Sequence, residues 1–188
     1  LRAAARRQWR AGQQRRVPLR QWRTVLSGFV AYPDKRLAMR AEARPGVDEA
    51  MVAIGNRLAD AARAEKAYGL AAAHIGEIAP VVVITAGEAR DYLVLYNPRV
   101  AEVSAETERS EEGSVSLPGV RVEIERPVWA VIAFMTTAGR QQTIRLDGFA
   151  ARVALHEIEQ TQGIFFLDKV SRLKRDMAVK KAKKYAAS

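Results

Sequence analysis

The sequence predicts an α+β domain: antiparallel strands packed around a central helix, with charged extensions at both ends. Three observations carry this. Two segments, 47–64 and 148–162, repeat apolar residues every three to four positions. Between them lie strand-like runs separated by short turns. The strand connections are local, which excludes a doubly wound sheet.

The first helix reads "VDEAMVAIGNRLADAARA", with Val47, Met51, Ile54, Leu58 and Ala61 on one face. Pro45-Gly46 breaks the chain before it, and Asp48 and Glu49 sit in its first turn, where the helix dipole favours anions. "GLAAAHIG" (69–76) predicts a small-residue loop or short strand. "APVVVITA" (79–86) and "DYLVLYNP" (91–98) predict strands, the first apolar throughout and so central. The acidic run "EVSAETERSEE" (102–112) predicts a solvated loop. "GVRVEIERP" (119–127) alternates, with Val120, Val122 and Ile124 facing inward. "VWAVIAFMT" and "QQTIRLD" predict a hairpin around Ala138-Gly139. The second helix follows, with Asp147 as its N-cap and Gly163 as its stop; Phe149, Val153, Leu155 and Ile158 form its buried side. Phe165 and Phe166 are expected in the core.

The 188 residues suit one domain with extensions, and 48% apolar residues are enough for a real core. There is no cysteine, so there is no disulfide partner and no thiolate. No apolar run is long enough for a membrane span. The net charge of +10 is unevenly placed. Residues 1–33 hold Arg2, Arg6, Arg7, Arg10, Arg15, Arg16, Arg20 and Arg23 and no acid, for +8. Residues 172–188 hold Arg172, Lys174, Arg175, Lys180, Lys181, Lys183 and Lys184 against Asp176, for +6, which leaves −4 for the middle. Two basic arms on an acidic body predict a polyanion as partner, and these fifteen side chains are the candidate nucleic-acid contacts. Trp9 and Trp22 fit stacking on bases or anchoring on protein. The expected division is a basic arm at 1–43, a folded domain at 44–171 and a basic tail at 172–188. An Arg-rich, acid-free N-terminus is also the composition of a mitochondrial transit segment. The start at Leu1 is expected to follow residues that are missing or removed.

"HEIEQ" (156–160) raises the functional question. A His, a Glu and a third ligand four residues after the His begin a metal-binding helix, but that third position is Gln160. Two further stretches stand before it: "AYGLAAAH" (67–74) and "EGSVS" (112–116). Together these resemble the three motifs of the peptide deformylases, G-x-G-L-A-A-x-Q, E-G-C-L-S and H-E-x-D-H. The flanks "YNPRV", "SLPGVRVEIERP" and "GIFFLD" match as well, so the resemblance covers about residues 44–170.

That resemblance implies a metallohydrolase fold that removes the formyl group from new polypeptides. In the family, a Cys and two His hold a divalent metal whose bound water attacks, and a Glu shuttles the proton. Carried over, the matching positions are Gly69, His74, Gly113, Ser114, Val115, His156, Glu157 and Gln160. Ser114 stands at the thiolate position, Gln160 at the second imidazole and His74 at the oxyanion glutamine. Ala67 stands at the first glycine of its motif and is expected to resist the backbone shape a glycine permits. With one strong ligand of three remaining, the expectation is no metal, no cofactor and no deformylase activity. An alternative is a rebuilt site in which His74, His156 and Glu157 hold a metal and an active enzyme survives. The arms and the family's link to translation lead to the expected role: a non-catalytic component or assembly factor of a mitochondrial ribosome, with rRNA and ribosomal proteins as partners.

Overall fold

The computed structural model describes residues 28–85 and 91–186. Elements run in the order α1 (Glu49–Glu65), β1 (Gly69–Ala71), β2 (Val81–Thr85), β3 (Tyr92–Val103), β4 (Thr107–Ser114), β5 (Leu117–Pro127), β6 (Trp129–Met135), β7 (Gln141–Asp147), α2 (Gly148–Thr161) and α3 (Arg172–Ala186). Five strands form one sheet in the order β1-β2-β3-β6-β7, and β4 and β5 form a separate ladder. Every pairing is antiparallel. The α+β architecture around the helix carrying "HEIEQ" is the predicted one.

Strand β2 is buried along its whole length because both faces are covered. Val82 and Ile84 pack towards Ala151, Ala154, Leu155 and Ile158 of α2. Val81 and Val83 pack towards Met51, Leu58 and Ala62 of α1. The continuous apolar run thus reports a strand between two helices, although β3, not β2, is the middle strand. Helix α1 begins where expected: Asp48 is the N-cap, accepting from the Met51 N–H at 2.8 Å. Asp147 occupies the N-cap position of α2 without a side-chain capping bond, and Gly163 follows the helix end with φ 76°.

A third cluster joins Leu37, Val120, Ile124, Phe165, Phe166, Leu167 and Ala178 under the β4–β5 ladder. Tyr32 stacks on Phe165 with ring centroids 4.9 Å apart. Residues 28–43, expected within the N-terminal arm, contribute Val30 and Leu37 to this core. Residues 1–27, with the eight candidate arginines of that arm, lie outside the described residues. The expected basic tail is instead helix α3, which lays Ala178, Val179 and Ala182 against the third cluster.

The acidic run at 102–112 differs most from expectation. It is the end of β3 and most of β4, not a solvated loop. Strand alternation turns Glu112 inward while Glu111 and Arg109 stay exposed. Ala67 also departs from expectation. The positive-φ residues there and elsewhere, apart from glycines, are Lys66 and Asn97, so the described backbone at Ala67 requires no glycine.

Candidate functional site

Helix α2 presents His156 and Glu157 at the floor of a cavity of about 370 Å³. His74, Ser114, His156, Glu157 and Arg152 line it, while Gln160 does not. His74 comes from the 3-10 turn after β1, and Ser114 from the end of β4. Two glycines allow these elements to meet. A Cβ on Gly69 would fall 2.6 Å from Val153 Cγ1 and 2.8 Å from Glu157 Cγ, so β1 lies on α2 only with glycine there. A Cβ on Gly113 would fall 2.9 Å from the Val120 carbonyl oxygen.

One side of the cavity is a buried charge network centred on Glu112. Its Oε1 accepts from Arg126 Nε at 2.5 Å and Arg152 Nη1 at 2.7 Å. Its Oε2 accepts from Arg126 Nη2 and lies 2.9 Å from His156 Nδ1. Arg152 also donates to the carbonyls of Ile124 and Glu108, and Arg126 to Glu159, which Lys169 joins. Burial works against a charged Glu112, but the His156 and Arg126 hydrogen bonds outweigh it and hold its pKa at about 2. His156 is the other half. Burial opposes its charge, yet the Glu112 hydrogen bond and the charge of Glu157 raise its pKa. An ionised Glu112 puts the His156 proton on Nδ1. Glu112, Arg126 and Arg152 were not singled out from sequence. The one legible signal was the strand alternation of β5, which carries Arg126 onto the same face as Val122 and Ile124.

The other side is poorly satisfied. Ser114 Oγ lies 3.4 Å from His74 Nε2, and His74 Nδ1 lies 3.6 Å from Glu157 Oε2. A serine, a histidine and a carboxylate in that order suggest a nucleophile, its base and an orienting acid. The hydrogen bonding excludes that use in this arrangement. The Ala71 N–H donates to His74 Nδ1 at 2.9 Å, which leaves the ring proton on Nε2. His74 then donates to Ser114 and has no lone pair with which to take its proton. Burial, and then the charge of His156, also lower its pKa to about 3. Glu157 goes the other way. Burial, helped by the charge of Glu112, pushes its pKa up to about 7, and its Oε2 has no hydrogen-bond partner.

Gln160 is 1% exposed and turned away from the cavity. Its Nε2 donates to the Leu37 carbonyl at 2.6 Å, and its Oε1 is unpartnered. Together with Ala41 N–H donating to the Thr161 carbonyl, this fastens residues 37–41 across the end of α2. A family metal would be offered the Ser114 hydroxyl, one imidazole, and an amide already bonded to the backbone. That donor set does not fit a centre built from a thiolate and two imidazoles. The rebuilt set fares no better: among the described residues no group of three His, Cys, Asp or Glu is placed to hold a metal ion. Of the sequence-predicted positions, Gly69, His74, Gly113, Ser114, Val115, His156 and Glu157 meet at the cavity; Gln160 does not.

Fold and site together define an α+β protein with a helix-borne His156–Glu157 pair beneath the short strand β1. The polypeptide deformylase family model matches residues 27–176. A "Peptide deformylase-like" protein of Brucella melitensis is 37% identical over 156 residues, covering 83% of this chain and 95% of that one. A "Peptide deformylase" of Agrobacterium fabrum is 33% identical over 165 residues, covering 86% and 97%. The crystal structure of Ehrlichia chaffeensis peptide deformylase in complex with actinonin superposes with a TM-score of 0.78 at 29% identity, covering 86% of this chain and 98% of that one. The chain belongs to the peptide deformylase family.

Proposed function

We propose that this protein keeps the deformylase fold without metal-dependent deformylation and serves as a structural component or assembly factor of a ribosome. The observation that supports it is the bonding of Gln160. Its amide nitrogen holds the Leu37 carbonyl at 2.6 Å, so the second imidazole's position has become a tether for the N-terminal segment. Without a bound metal, nothing lowers the pKa of water from about 15.7 towards 7. The basic arms supply the partner: rRNA phosphates for residues 1–23 and 172–184, with neighbouring ribosomal proteins against the body. The Brucella and Agrobacterium relatives are bacterial, so a bacterial ribosome fits this reading as well as a mitochondrial one.

Purified protein is expected to contain no stoichiometric transition metal and to show no turnover of a formyl-Met peptide with added Fe²⁺, Co²⁺ or Zn²⁺. Stoichiometric metal, with turnover abolished by Glu157→Gln, overturns the reading. For the arms, filter binding of RNA by the full chain should weaken by roughly three to five decades between 50 and 200 mM salt, for about six to eight phosphate contacts. The full chain with Arg6, Arg7, Arg15, Arg16, Lys180 and Lys181 changed to Ala should lose most of that slope. Equal affinity and slope for both proteins would remove the ribonucleoprotein part.

A further inference from the structure

Helix α3 buries one face and exposes another whose composition the deformylase-like cavity does not explain. At 100° per residue, Arg175, Ala178, Val179 and Ala182 share one side. Ala178, Val179 and Ala182 pack on the third core cluster. Arg175 Nε donates to the Leu167 carbonyl at 3.2 Å, and its Nη2 pairs with Asp168 at 3.0 Å. The opposite side is centred on Leu173 and Met177, one turn apart and 71% and 64% exposed. They are the most exposed large apolar side chains among the described residues. Lys180 follows on the same stripe, Lys174 and Lys181 flank it on one edge, and on the other edge lie Asp176, paired with Arg172 at 4.0 Å, and the exposed Lys183.

We propose that this outward face of α3 docks on the surface of an anionic lipid bilayer. Such a surface offers phosphates to the lysines and hydrocarbon just beneath them to Leu173 and Met177. RNA satisfies the lysines but gives two exposed apolar side chains nothing to bury against. Lysine stems reach from an apolar boundary to a charged headgroup layer, which suits Lys174, Lys180 and Lys181 beside the apolar pair. The N-terminal sequence repeats the chemistry, with Trp9, Leu19 and Trp22 interleaved among arginines. Docking is peripheral: among the described residues no helix is long and apolar enough to cross a membrane. The inference goes beyond the ribosomal reading, since RNA would use the same lysines but not Leu173 or Met177.

Because the chain has no cysteine, Met177→Cys gives a single labelling site for an environment-sensitive fluorophore on the full chain. Vesicles with about 30% phosphatidylglycerol should shift its emission to the blue, and pure phosphatidylcholine vesicles should not. The same label at Glu49→Cys, exposed on α1, should stay unchanged with both. In co-sedimentation, Leu173→Ser/Met177→Ser should lower affinity for the anionic vesicles about tenfold or more, from the lost apolar burial. That variant, with an unchanged circular dichroism spectrum, should bind RNA as the parent chain does. No blue shift, a shift shared with Glu49→Cys, or equal vesicle affinity of the serine variant would each overturn the proposal. RNA affinity falling in parallel would assign Leu173 and Met177 to a nucleic-acid or protein interface instead.

Discussion

The two sides of the cavity use the same kinds of residue to opposite ends. Around Glu112, one carboxylate meets two guanidiniums and an imidazole, and both its oxygens have partners. Around Glu157, a second buried carboxylate, 5% exposed, has an oxygen with no partner, beside a histidine that burial keeps neutral. The first ties β4, β5 and α2 together and orients His156. The second holds polar groups that contribute little to holding the fold together. Buried polarity locks one arrangement where every donor and acceptor is matched, and it is costly where one is left unmatched. A protein can therefore lose chemistry at the second side and still need the first to fold.

The largest test is Glu112→Ala. It leaves Arg126 and Arg152 buried without their carboxylate and should lower stability by about 3–5 kcal/mol in urea unfolding. A loss below about 1 kcal/mol would mean that the network contributes nothing beyond packing.

Glu157→Gln should act in the opposite direction and depend on pH. The folded pKa of about 7 lies above the ordinary carboxylate value of 4.5, so ionisation is disfavoured in the folded state. Below about pH 4.5 the carboxyl is protonated whether folded or not, and the native stability is fully present. As pH rises from about 4.5 to 7 the unfolded chain ionises while the folded carboxyl holds its proton, so stability falls, and the loss is complete above 7. The amide variant should thus be more stable by roughly 1–3 kcal/mol at pH 8 and nearly equal to the parent at pH 4. A parallel offset at both pH values would break the comparison.

Gln160→Leu sharpens it with a smaller effect. It removes the bond to the Leu37 carbonyl but also an unpartnered Oε1, so the net cost should be about 1 kcal/mol. Proteolysis near residues 37–41 should rise with it if the amide is the tether. Smallest is the gain from Ser114→Cys/Gln160→His. Some metal affinity should return, read as Co²⁺–thiolate absorption, because Glu112 still orients His156. Absence of the band would show that the second corner has closed around its new bonds.

Much of this was legible before any coordinates. The two helical periods, the alternation at 119–127 and the hairpin at 129–147 report burial of one face, which is a local property of a repeating backbone. "AYGLAAAH", "EGSVS" and "HEIEQ" placed His74, Ser114, His156 and Glu157 in one cavity through the resemblance they carry. The acidic run misled because charge alone reads as solvated. Only its pairing with β5, fourteen residues away, shows that Glu112 has Arg126 as a partner. By itself the sequence determined which faces are apolar, where the basic charge lies and which ligand positions changed chemistry. The tertiary structure alone decided which buried charges are matched, that His74 faces Ser114, 40 residues away, and that Gln160 bonds to Leu37, 123 residues away. Hydrogen-bond partners at such separations depend on distances that no local pattern encodes.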